Sequence, residues 1–131
     1  MIKVSANIGK ELYKVEIVSD SGNKIIADES IAIGGKNIGF SPKELLVASL
    51  VACTNITLRM YADHKQWDLT EVNVDVEFNR DEAESITNIN TNIKLTGNLN
   101  EEQIARLLSV ANNCPLHKIL SNPIKINTTI V

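Results

Sequence analysis

Aromatic residues are scarce in this chain: Phe, Trp and Tyr make up 4% of 131 residues, against 44% apolar residues in all. A core of stacked rings is therefore excluded, and the interior has to be built from Ile, Leu, Val and Ala. Basic clusters are missing as well. The 13 Lys and Arg are outnumbered by 16 Asp and Glu, for a net charge of −3, and no run of them forms a cationic patch. Nucleic acid and anionic membrane surfaces are poor partners for such a chain. No stretch of about 18 apolar residues runs free of charge, and MIKVSANIGK has no apolar segment of signal-peptide length, so no membrane span is expected and the cytoplasm is the expected location. Cysteine is limited to Cys53 and Cys114. In a reducing compartment these are either inert thiols or a transient redox pair, not a permanent structural bridge.

The length fits a single domain spanning 1–131. IKVSANI (2–8), LYKVEIVS (12–19) and KIIAD (24–28) are short and β-branched, separated by turn residues, and predict an antiparallel β-meander. AIGGKNIG (32–39) has neither the helical nor the strand period, and it lacks the strand-before, helix-after setting of a phosphate loop. A long helix then opens at Ser41: Pro42 suits the first helical position and Glu44 completes a capping box. It continues to about Lys65, and from Leu45 to Ala52 only Ser49 interrupts its apolar surface, which predicts a helix covered on most sides, by two layers or a second subunit.

WDLTEVNVDVEFNR (67–80) alternates cleanly, DEAES turns, and ITNINTNIKLTG (86–97) supplies the partner strand of a β-hairpin. Asn98 or Asn100 caps a second helix, EEQIARLLSVANN (101–113). CPLHKILSN (114–122) restarts as a short helical turn, and PIKINTTIV (123–131) reads as a C-terminal strand. The class is α+β.

The two thiols differ in setting. Cys53 lies mid-helix, where burial raises a thiol pKa. Cys114 precedes Pro115 at a helix start, where free N–H groups favour a thiolate. On these grounds Cys114 is the better thiolate and Cys53 the better buried atom. Plainer readings stand beside the chemical ones: a lone helical cysteine is usually packing, a cysteine before proline is usually a cap, and Glu44 is explained by capping. A zinc site through Cys114 and His117 is disfavoured, because His64 lies 11 residues from Cys53, roughly 16 Å along a helix.

Two segments together carry more than either alone. SPKELLVASLVACT resembles the P-x-E-L-L…A-C signature of the OsmC/Ohr family, and ANNCPLHKIL resembles that family's Cys-Pro signature, 61 residues on. IGGKNIGFSPKELL and TLRMYADHKQWDL are most similar to the OsmC-like subgroup, and the order of elements matches over the whole chain. The resemblance implies an intertwined homodimer and a thiol peroxidase acting on organic hydroperoxides without cofactor or metal. Cys53 would be oxidised to a sulfenic acid, Cys114 would close a disulfide with it, and a cellular thiol or dithiol, lipoyl or thioredoxin-like, would restore both.

Glu44 matches the family's site glutamate, with one qualification. In Ohr proper that glutamate falls one residue earlier, where this chain has Lys43. Better-characterised members also use an arginine, whereas Arg59, Arg80 and Arg106 all lie beyond Cys53. Arg59 is six residues on, about 240° around the helix, which leaves Lys36 as the candidate cation. A lysine lacks arginine's bidentate fork, so these departures favour a slower thiol-redox function. They also motivate an alternative, a redox-inert binding module for a small apolar or thiol ligand at the dimer interface. Glu44 and Cys53 are nine residues apart, about 900° of rotation and roughly 13.5 Å of rise, hence on opposite sides of one regular helix. Sharing a site then requires Glu44 from a second chain or a distorted helix.

Overall fold

The computed structural model describes residues 1–131 and divides into two compact units, Met1–Leu46 and Val47–Val131. The first unit holds strands β1 (Val4–Asn7), β2 (Val15–Ser19) and β3 (Lys24–Ala27), paired antiparallel in the order β1-β2-β3. Val4 faces Ser19, and Ile17 faces Ile25 across the next pair. The expected meander is therefore present.

The glycine-containing connector has an organising residue that its sequence did not advertise. Asp28, 2% exposed, accepts backbone N–H groups from Glu29 at 2.8 Å, Lys36 at 3.2 Å and Ile38 at 3.3 Å. Burial pushes its carboxyl up, but these bonds and one from the Tyr13 N–H hold it below the ordinary value of 3.8. Gly35 is required where the loop folds back, since a Cβ there would sit 2.0 Å from the Glu29 carbonyl oxygen.

Helix α1 (Pro42–Lys65) starts where its capping signals place it. The Ser41 N–H donates to Glu44 Oε1 at 2.9 Å, and the Glu44 N–H donates to Ser41 Oγ at 3.3 Å. Gln66, with φ 57°, then ends the helix. By length and composition α1 could cross a membrane. In the second unit its buried residues, Leu50, Thr54, Leu58 and Ala62, recur every fourth position as one stripe.

Against that stripe pack the hairpin β4 (Asp68–Asp81) and β5 (Ile86–Asn98) and the helix α2 (Glu101–Ala111). Leu58, Leu107 and Ala111 form the centre, with Tyr61, Trp67, Val72, Ile93 and Leu95 around them. Register places Val72 opposite Leu95, Val74 opposite Ile93 and Phe78 opposite Ile89, as period-2 alternation requires. Asn100 caps α2 with a full capping box: the Gln103 N–H donates to Asn100 Oδ1 at 2.8 Å. A six-residue helix, α3 (Pro115–Leu120), follows.

Two expectations differ from what is observed within the chain. Residues 123–131 form no strand, although Ile124 and Ile126 alternate in strand fashion; they are 58% and 83% exposed. A strand exists only against a paired edge, and this chain gives that segment none. Of the two covers expected for α1, a second layer within the chain is incomplete: Leu46, Ile56 and Met60 are 41%, 57% and 66% exposed. Apolar composition states which surface needs cover, and only the stripe at every fourth residue receives it here.

Candidate functional site

Cys53 adjoins the buried stripe of α1 one residue before Thr54, which leaves it half-buried. Cys114 is the N-cap of α3 and has 0% exposure. Its extended backbone (φ −64°, ψ 150°) and Pro115 at the first helical position turn its side chain toward the helix start, where Sγ accepts the His117 N–H at 3.3 Å. The fold brings the two free thiols close enough for each to shift the other's pKa.

Their neighbours are unequal. Burial pushes the Cys53 thiol up. The Leu116 N–H, the Cys114 thiol and the Thr57 hydroxyl together outweigh it and hold Cys53 below the ordinary thiol value of 9.0. Thr57 Oγ1 lies 3.8 Å from the sulfur, one helical turn along α1. For Cys114, burial is again the largest influence and wins: despite the His117 N–H and the Thr54 hydroxyl, donation to Cys53 and the charge of that sulfur keep its pKa above 9.0. The assignment drawn from helix position alone is thereby reversed. Cys53 is the better thiolate, because α3 presents a backbone donor to it as well as to its own cap.

All of the donors that lower Cys53 are neutral. Arg59 turns away, as its helical angle requires, and donates to Asp63 at 2.9 Å and to the Leu69 carbonyl. Glu44 and Lys36 lie in the N-terminal unit with partners of their own. Glu44 is held below its ordinary value by the backbone and side chain of Ser41, and Lys36 Nζ is 3.6 Å from Glu11 Oε1. His117 Nδ1 lies 3.3 Å from Ser121 Oγ, and no three His, Cys, Asp or Glu side chains gather closely enough to hold a metal ion. Beside Thr54 opens a cavity of about 520 Å³, lined also by Leu50, Ile89, Ile93, Leu108 and His117.

Sequence reasoning missed Thr57, Thr54 and the Leu116 N–H. Thr57 was within reach, since residues four apart share a helix face. The Leu116 donor depends on where α3 docks against α1, and no local pattern encodes that.

Among solved structures, the chain is similar to an osmotic stress induced and detoxification response protein of Psychrobacter arcticus, at 21% identity over 91% of this chain and 88% of that one, TM-score 0.78. It is also similar to an OsmC-like protein of Mycoplasma pneumoniae (21% identity, 92% and 87% covered, TM-score 0.77) and to the organic hydroperoxide resistance protein OhrB of Bacillus subtilis (24%, 91% and 89%, TM-score 0.61). These likenesses concern the fold. No curated protein matches the sequence. The family model described as OsmC-like protein matches residues 34–129, which contain both thiols and the helices that carry them. The chain belongs to the OsmC/Ohr family.

Proposed function

We propose that this chain reduces organic hydroperoxides to alcohols, with Cys53 as nucleophile and Cys114 as the thiol that closes a disulfide with it. The observation that carries the reading is a pair of neighbouring free thiols whose surroundings drive their pKa values in opposite directions. Such a pair gives one sulfur the ionised form needed for attack and keeps the other protonated until it is required. Family membership supports the redox theme, as does the hydroperoxide resistance ascribed to the Bacillus subtilis relative.

In the first step the Cys53 thiolate attacks the distal peroxide oxygen. The O–O bond breaks, the alkoxide takes a proton and leaves as alcohol, and Cys53 becomes a sulfenic acid. Cys114 then attacks that sulfur, its proton leaves with the hydroxyl as water, and a Cys53–Cys114 disulfide forms. A thiol or dithiol reductant returns both sulfurs to thiols. Neutral donors at Cys53, in place of an arginine fork, favour a modest rate. Glu44 and Lys36 belong to this proposal as groups contributed by a second subunit of a homodimer, which would also cover the exposed flank of α1. A reducing cytoplasm supplies the setting in which such a disulfide is transient.

The test is to titrate reduced protein with tert-butyl hydroperoxide while counting free thiols and mapping disulfides. Loss of both thiols at about one equivalent, with the Cys53–Cys114 bridge found, is expected. Persistence of both thiols in excess peroxide would contradict the reading.

A further inference from the structure

The step that restores the thiols has a direction, and the two sulfurs do not share it equally. We infer that the incoming reductant thiolate attacks Cys53 of the Cys53–Cys114 disulfide, so that the mixed disulfide forms on Cys53 and Cys114 is the leaving group. This deepens the proposed function, because it concerns the same pair.

Exchange requires approach to the sulfur that is attacked. Cys114 offers no surface: it is 0% exposed, capped by the His117 N–H, touched by the Thr54 hydroxyl and faced by Cys53. Cys53 is half-buried, the less enclosed of the two thiol residues in this chain. One effect opposes this. The more acidic thiol is the better leaving group, which would direct attack onto Cys114 if access were equal. That preference acts only once the nucleophile has reached the sulfur. Reaction at a fully enclosed sulfur instead waits for a transient opening of the first turn of α3, present in a small fraction of molecules. Access decides.

The balance closes with groups already in place. A reductant thiolate forms a bond to Cys53 Sγ, the Cys53–Cys114 bond breaks, and its electron pair passes to Cys114 Sγ. There the His117 N–H and the Thr54 hydroxyl receive the negative charge, and the proton released by the incoming thiol ends on Cys114. If the reductant is a vicinal dithiol, its second thiolate attacks its own first sulfur and releases Cys53 as thiolate, the form that begins the next cycle. A monothiol halts at the mixed disulfide, which Cys114 can re-close.

The experiment uses the full chain oxidised with diamide, so that the disulfide is made without peroxide. The oxidised protein is exposed briefly to 2-mercaptoethanol, quenched in acid, alkylated with N-ethylmaleimide and digested with trypsin. Cys53 then falls in the peptide Glu44–Arg59 and Cys114 in Leu107–Lys118. The expected result is 2-mercaptoethanol on the Cys53 peptide at about tenfold or more over the Cys114 peptide. Equal labelling, or labelling mainly on Cys114, would overturn the inference, as would a disulfide that diamide fails to form or the monothiol fails to open. A bridge that diamide makes and tert-butyl hydroperoxide does not make would sink the proposed peroxidase and leave this inference standing. Single variants give a second reading: Cys114→Ser should react quickly with a disulfide reagent such as dithionitrobenzoate, and Cys53→Ser slowly. The reverse order would contradict the account even if one variant is less stable.

Discussion

Two turns of backbone in this chain surround an acidic group with N–H donors, and they put it to different ends. In the loop after β3, Asp28 takes N–H groups from Glu29, Lys36 and Ile38, and the carboxylate is ionised throughout the ordinary pH range. At the start of α3, the Leu116 N–H serves Cys53 and the His117 N–H serves Cys114. The first arrangement saturates its anion and orders a loop. The second is shared between two sulfurs and leaves one of them half-exposed. Donors that outweigh burial lower a pKa in both places; reactivity further needs a soft atom that remains within reach.

The comparison breaks most completely at Cys53. Cys53→Ser should abolish thiol loss on peroxide treatment, read by counting free thiols, because oxygen at that position is neither ionised nor nucleophilic toward peroxide. Cys114→Ser should keep the first release of alcohol and lose the disulfide. Cys53 should then climb to sulfinic and sulfonic acids, seen as two or three added oxygens by intact mass.

Asp28→Ala tests the other turn. It strands the N–H donors of Tyr13, Glu29, Lys36 and Ile38 and should lower the melting temperature without changing the alkylation rate of Cys53. Wild-type stabilisation from Asp28 is fully present above its unfolded value of about 3.8 and is lost as pH falls through its depressed folded value. Melting curves taken across that acid range should therefore converge for the two proteins.

Thr57→Val has the smallest expected effect. It removes one of three donors to Cys53, a long contact at 3.8 Å. A neutral hydrogen bond contributes about 1 kcal/mol or less, so iodoacetamide labelling of Cys53 near neutral pH should slow by about two- to fivefold. Thr57→Ser should restore it.

How much of this was legible in the sequence divides along physical lines. Period-2 alternation at Val72, Val74, Val76 and Phe78 gave β4 to within a residue, because one buried face enforces it. Ser41, Pro42 and Glu44 gave the start of α1, and Pro115 placed Cys114 at a cap. These are local rules. Strand pairing is not local, and 123–131 carry a strand pattern with no edge to join in this chain. The order of the two thiol pKa values is the reverse of what local position implies, for the same reason. A helix cap is visible in CPLH, whereas the Leu116 N–H, 63 residues downstream, reaches Cys53 only after α3 docks. The loop at AIGGKNIG looked irregular because its organiser, Asp28, lies outside it.

The central claim, that Cys53 is the thiolate and Cys114 the reserved thiol, is tested most directly by labelling both in one sample. Wild-type reduced protein is alkylated with iodoacetamide across a pH series, and the rates are read separately from the Glu44–Arg59 and Leu107–Lys118 peptides. The account predicts a midpoint below 9.0 for Cys53 and above 9.0 for Cys114. A Cys114 midpoint below that of Cys53 would contradict it.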